Sequence, residues 1–239
     1  MPLVPVQTGD GTRTLFCTER QLHFRSLQGA GSESSYVFLE SSQLLSQPDP
    51  VVLELGLGTA LNFLTTAAAV LRAPTPMTLD YHVVELQPLS ASIFEALKYT
   101  THFPAELVSG VLTLLQQVAN EPVRFTHPQI RLTLYPGAWS ETPLPAALAV
   151  DAIYHDPFGP KDNPECWTPE CFTWSGRHLK PTGRLVTYAA ATSVRKALVA
   201  AGLVVASLPG SGRKREMTVA ARSASALEGT QPLRQSRYQ

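Results

Sequence analysis

Apolar positions along the chain follow two periods, one of alternate residues and one of every third or fourth. RTLFCTE (residues 13–19) and QLHFRSL (21–27) alternate and predict a hairpin, while SSYVFLESSQLLSQ (34–47) carries the helical spacing. PDPVVLELGLGTALNFLTTAAAVL (48–71) reads as a buried strand, a glycine turn and a helix rich in Ala and Leu. LDYHVVELQPLSASIFEALK (79–98) repeats that plan, with an acidic residue at the strand end. A helical run at 104–120 then leads into QIRLTLYPG (129–137). Further strands are expected at 150–155, 183–190, 203–209 and 215–222, with a helix at 192–202. Strands that alternate with helices imply a mostly parallel sheet covered on both faces. The expected organisation is a β-rich and helical appendage over residues 1–48, one α/β domain over 49–222, and a polar, aperiodic, flexible tail over 223–239.

Composition narrows the function classes. Lys and Arg number 19 against 19 Asp and Glu, so any nucleic-acid contact must rest on a local patch and not on overall charge. No apolar run reaches the ~20 residues of a membrane span, and MPLVPVQTGDGTRTL lacks the plan of a signal peptide. Three cysteines, Cys17, Cys166 and Cys171, fit reduced thiols in a cytoplasmic protein. Cys166 and Cys171 beside His155 and His178 raise the question of zinc, but their C-x4-C spacing is unusual, and no metal is expected.

Candidate chemistry begins at ELGLGT, Glu54 to Thr59, where the first strand of the α/β domain hands over to a helix. Gly56 and Gly58 permit a tight turn and close approach of a ligand to the backbone, although a purely structural turn needs the same residues. Glu85 ends the next strand, 27 positions after Gly58, where a carboxylate can accept from both ribose hydroxyls of a nucleoside. Leu61 stands where a dinucleotide site needs a third small residue, and no Lys-Ser/Thr follows the glycines as a P-loop requires. Glu54 before the glycines suits a cofactor with an ammonium group and no phosphates. S-adenosyl-L-methionine matches that description.

The strand at 150–155 ends in His155-Asp156 and then Pro157-Phe158-Gly159-Pro160, a turn stiffened by proline at both ends. A donor bound at the first two strand ends leaves an acceptor beside Asp156. An aliphatic amine has a pKa of about 10, so it arrives protonated and must lose a proton to attack. A fixed carboxylate orients its N–H bonds, and Phe158 offers a face on which a base can stack. The alternative is that Asp156 caps the following helix.

Four motifs carry a family resemblance. They are Tyr36-Val37-Phe38-Leu39 with Glu33 before it; ELGLGTALNFL with Asn62 and Phe63; Asp156-Pro157-Phe158-Gly159-Pro160 followed by Lys161-Asp162-Asn163-Pro164-Glu165-Cys166-Trp167-Thr168; and Gly210 to Met217. In this order the chain resembles the methyltransferase domain of the MnmC family, the bacterial bifunctional enzymes that finish 5-methylaminomethyl-2-thiouridine at the tRNA wobble position. It is more similar still to the stand-alone methyltransferase form, often called MnmD. The resemblance implies a class I S-adenosyl-L-methionine-dependent methyltransferase fold, Rossmann-like, with a mostly parallel seven-stranded sheet. It implies methyl transfer to the aminomethyl group of 5-aminomethyl(-2-thio)uridine, with the tRNA anticodon region as partner and no oxidoreductase domain in this chain. Asp156 would be catalytic, and Glu54, Gly56, Gly58, Thr59, Asn62, Glu85, Gly137, Ala138 and Asp156 would hold the donor. Ala138 departs from the family, where many members carry an Asp that contacts adenine. Tyr36, Pro157, Phe158, Lys161 and Trp167 would face the acceptor. Arg213, Lys214 and Arg215 form the one dense basic cluster and would contact phosphate, with Arg195 and Lys196 extending the patch; a solvated turn is the competing reading. Trp139 and Trp167 serve equally well as core, pocket wall or stacking platform.

Overall fold

The alternating segments near the N-terminus form a three-stranded antiparallel sheet in the computed structural model, which describes residues 2–212 and 215–238. Its strands are β1 (Leu3–Gln7), β2 (Arg13–Cys17) and β3 (Leu22–His23), so the expected hairpin gains a third strand ahead of it. A short helix, α1 (Ala30–Glu33), runs directly into a π-helical turn over Ser34–Glu40. There Ser41 N reaches back five residues to Tyr36 O at 3.3 Å. Such wide turns recur at functional sites because they displace side chains from the regular helical register.

The main sheet has nine strands: β4 (Val51–Leu55), β5 (Leu79–Glu85), β6 (Val123–Thr126), β7 (Ile130–Pro136), β8 (Val150–His155), β9 (Leu179–Thr187), β10 (Val204–Pro209), β11 (Glu216–Ala221) and β12 (Gln231–Pro232). Their spatial order is β12-β10-β11-β9-β8-β4-β5-β7-β6. Seven of these strands, from β7 to β10, make up the expected sheet. The short, half-exposed β6 and the exposed β12 extend its two edges. Parallel pairing joins β7, β5, β4, β8 and β9, and antiparallel pairing takes over at β11 and β10.

Burial on both faces explains why the central strands read as continuous apolar runs. Within β4, Val52 joins one core and Leu53 the other. Helices α2 (Leu61–Leu71) and α4 (Ala105–Gln117) cover the first face, with the short α3 (Ala91–Glu95) between them in sequence. Helices α5 (Pro169–Gly176) and α6 (Thr192–Ala200) cover the second. The chain runs outward from β4 through β5 to β7, then returns across β4 to β8 and continues through β9. Strand order therefore reverses between β4 and β8, and a doubly wound sheet opens a ligand crevice at the carboxyl ends of strands flanking such a point.

Residues 223–238 differ from the expected loose tail. Gln231 and Pro232 pair with β10, Tyr238 is buried, and the Gln235 side chain bonds both the N–H (3.0 Å) and the C=O (2.7 Å) of Val205. Arg184 of β9 ties both ends of the chain to the sheet, donating to Ala226 O (2.7 Å), Glu228 O (2.8 Å) and Ser41 O (3.4 Å).

Candidate donor and acceptor site

A cavity of about 530 Å³ lies at the carboxyl ends of β4, β5, β7 and β8, roofed by residues 20–26 of the appendage. Its size falls within the ~300–1,000 Å³ of small-molecule sites. Gly56 (φ +87°) and Gly58 (φ +49°) form its floor in backbone conformations that favour glycine, and a Cβ at Gly56 would stand 3.3 Å from the Asp156 carbonyl oxygen. Glu85 reaches back across this turn: Oε2 accepts from Gly58 N (3.1 Å) and Oε1 from Gln87 N (2.8 Å). A carboxylate has about four acceptor positions, so Glu85 retains capacity for ligand hydroxyls. Gly137 and Ala138 line the far wall, held by Gly137 N→Glu85 O (2.9 Å) and Thr142 Oγ1→Ala138 O (2.7 Å).

Beneath the floor runs a buried polar chain. Tyr81 Oη donates to Glu54 Oε2 (2.8 Å), and Asn62 Nδ2 donates both to Glu54 Oε1 (2.7 Å) and to Asp156 Oδ2 (2.9 Å). The same Asp156 oxygen forms an ion pair with Arg25 Nη2. Burial first, and then the charge of Asp156, push Glu54 up to about 8, against the opposing pull of Arg25, Asn62 and Tyr81, so it is held as the neutral acid near pH 7. Burial pulls the other way on Arg25, but Asp156, Glu33 and Glu54 outweigh it and hold the guanidinium firmly charged.

The opening turn of the Asp156 motif is fixed from behind. Tyr188 Oη donates to Pro157 O (2.8 Å), and Trp167 Nε1 donates to Phe158 O (2.7 Å). Phe158 meets Phe24 edge-on, with ring centroids 4.9 Å apart. The helix-cap reading of Asp156 does not hold, because α5 is capped by Thr168, whose Oγ1 accepts from Cys171 N (3.3 Å).

Of the sequence candidates, Gly56, Gly58, Thr59, Glu85, Gly137 and Ala138 line the cavity, as do Asp156, Pro157 and Phe158. Glu54 and Asn62 do not line it; they are fully buried below and act through neighbours. Tyr36 lines a second cavity, and its hydroxyl donates to Pro209 O (2.9 Å). Trp167 is buried behind the turn, and Lys161 is exposed outside the lining. Arg213 and Lys214 lie outside the described residues, whereas Arg215 is exposed on a turn closed by Gly210 N→Arg215 O (3.1 Å). Arg195 cannot extend a phosphate patch: it is buried and committed to Glu216 (2.9 Å), Thr218 (3.1 Å) and Ser207 (3.4 Å). Lys196 is exposed. His155 packs between Trp167 and Phe172, at 4.7 and 4.6 Å, and its burial pulls the imidazole down to about 3. Among the described residues no group of His, Cys, Asp and Glu is arranged to hold a metal ion, and no helix is long and apolar enough to cross a membrane.

Sequence reasoning gave Arg25 and Phe24 no place in this site and named Glu33 only as part of the motif before Tyr36. The signal for Arg25 was a charge within QLHFRSL at a position that alternation would turn away from Leu22 and Phe24. Nothing local says that this second face is also covered.

A family model described as S-adenosyl-L-methionine-dependent methyltransferase matches residues 102–223. The chain is 35% identical over 218 residues to the tRNA 5-methylaminomethyl-2-thiouridine biosynthesis bifunctional protein MnmC of Ralstonia nicotianae, covering 83% of this chain and 31% of that protein. It is 36% identical over 211 residues to the protein of the same name from Aeromonas hydrophila subsp. hydrophila, covering 80% and 31%. The chain thus spans about a third of the length of these curated relatives. Among solved structures, MNMC2 from Aquifex aeolicus superposes with a TM-score of 0.76 at 23% identity, over 99% of this chain and 74% of that one. Spermidine synthase from Thermotoga maritima superposes at 0.54 with 10% identity, over 96% and 75%. These two likenesses establish the shared fold.

Proposed function

The chain belongs to the family of S-adenosyl-L-methionine-dependent methyltransferases, and from that premise we propose that it methylates the aminomethyl group of 5-aminomethyl(-2-thio)uridine at the tRNA wobble position, giving the 5-methylaminomethyl nucleoside. When bound, the donor supplies a methyl group carried on a sulfonium. The cavity suits it: two glycines leave the floor without side chains, and Glu85 offers acceptor positions for ribose hydroxyls.

The observation that carries the acceptor assignment is the carboxyl-rich end of the cavity. Among the described residues the Asp156 and Glu33 carboxyl groups line this end of the cavity beside the buried Arg25, a polar lining that suits an amine better than an anionic acceptor. Asp156 orients the amine, and the Pro157-Phe158 turn, pinned by Tyr188 and Trp167, holds an aromatic face where a base can stack. Support for the nucleoside comes from the relatives, named for 5-methylaminomethyl-2-thiouridine biosynthesis.

The test uses tRNA from a strain that accumulates 5-aminomethyl(-2-thio)uridine, incubated with purified protein and methyl-labelled donor. Digestion and mass analysis should place one methyl on that nucleoside. Label on a small amine or a protein, with the tRNA nucleosides unchanged, overturns the proposal.

A further inference from the structure

The small N-terminal sheet has two faces of different character. Antiparallel register sets Val4 opposite Phe16 and Phe16 opposite His23, so these side chains form one row across β1, β2 and β3. Leu15 and Cys17, which point the other way from β2, are buried, and Leu15 belongs to the first core. Among the described residues Val4 and Phe16 join neither core; Val4 is 47% exposed, and Phe16 and His23 are half-buried. The Phe16 and His23 rings lie 4.6 Å apart at 34°, close to a stack.

This row runs into the proposed acceptor site. His23 lines the main cavity, as does Arg20, an exposed residue of the turn 18–21 that joins β2 to β3. The residue after His23, Phe24, meets Phe158 edge-on at 4.9 Å, and Phe158 is the ring assigned to the target base. A wobble nucleotide in that cavity is covalently continuous with a nucleotide on each side, and those neighbours must lie at its rim. Drawing a base out of its stack is costly and bares the faces of the bases beside it. Aromatic rings, histidine included, replace such lost stacking whatever the base. Arg20 adds a cation at the same edge, where each nucleotide brings a phosphate.

We infer that the Phe16–His23 pair is the platform on which a nucleotide adjoining the target stacks, with Arg20 beside its phosphate. This rests on the acceptor reading above and adds the contact by which the appendage recognises RNA and not a free nucleoside. Phe158 then serves the target base, and the outer row serves the strand that carries it.

The test measures steady-state methylation of an anticodon stem-loop RNA that carries 5-aminomethyluridine at the wobble position. Phe16→Leu keeps apolar bulk in the sheet and removes the ring. It should raise KM for the RNA about tenfold, within the range for one stacked base, and leave kcat and donor affinity unchanged. Abasic sites in place of the bases that flank the wobble nucleotide should raise the wild-type KM by a similar factor. They should add little to the KM of Phe16→Leu, because both changes remove the same contact. Arg20→Gln should reduce the slope of log affinity against log salt by about 0.7, the share of one single-strand phosphate. An unchanged KM in Phe16→Leu overturns the platform, and so do variant and abasic effects that multiply in full. A matching fall in kcat or donor affinity would mean that the ring serves the fold of the pocket, and it overturns the platform equally. Should Phe16→Leu fail to fold, the wild-type response to the abasic RNA decides, and a flat response overturns the inference. Wild-type protein that methylates no such RNA overturns the acceptor reading, and this inference with it, whereas a methylating protein indifferent to Phe16 loses only the platform.

Discussion

Asp156 shares its charge with Arg25, and this alters what its removal should do. On the proposed function, Asp156→Ala deletes the group that would orient the acceptor and should lower kcat by about 10²–10⁴, the range for a positioned acid–base group. It also removes the ion-pair partner of the buried Arg25, at a cost of about 3–5 kcal/mol in stability. Turnover and chemical denaturation measured on the same protein separate the two effects. Pairing Asp156→Leu with Arg25→Met should restore stability and leave activity lost; full activity in either variant would remove Asp156 from the reaction. At the glycine floor, Gly58→Val forces a β-branched residue to φ +49° and projects a side chain into the cavity. Calorimetry should show donor binding abolished, and binding at wild-type affinity would displace the donor from this turn.

Strand β4 buries Glu54 and β8 buries His155, and these two respond to pH in opposite senses. Glu54 is raised from 4.5 to about 8, so the folded state binds a proton that the unfolded chain has released, and its stabilisation is lost as pH rises from about 4.5 to 8. His155 is lowered from 6.5 to about 3, so its contribution is complete above 6.5 and is lost as pH falls toward 3. The slopes oppose between about 4.5 and 6.5, and above that window Glu54 acts alone. Tm should therefore decline from about pH 6.5 to 8, and Glu54→Gln should flatten the decline; an unaltered profile would mean Glu54 is ionised throughout. The central strands were legible because burial on both faces writes them as unbroken apolar runs. The edges were not. β12 is two exposed residues, and the segment around it is held by hydrogen bonds from Gln235 to Val205, which no periodicity announces. Gln235→Ala should cost about 1–2 kcal/mol for those two bonds and leave the edge of β10 open to pairing with another chain. Denaturation and light scattering would register both effects.

For the whole molecule, the part of the pocket built on the strand ends was legible and the part contributed by the appendage was not. Gly56, Gly58 and Glu85 follow from one strand–turn–helix unit and its neighbour, all close in sequence. Arg25 and Glu33 belong to a separate small layer, and Asp156 and Ser211, which they meet, lie more than half the chain away. Tyr36, read from its motif as an acceptor residue, braces the end of β10. That brace spans 173 positions of sequence. Its consequence is temporal. A ribosome adds about 5–20 residues per second, so roughly 9–35 s separate the synthesis of Tyr36 from that of Pro209. During that interval the glycine floor and Glu85 already exist on the nascent chain, but the roof has nothing to lean against. The glycine floor of the pocket is thus synthesised well before the segment that braces the appendage above it.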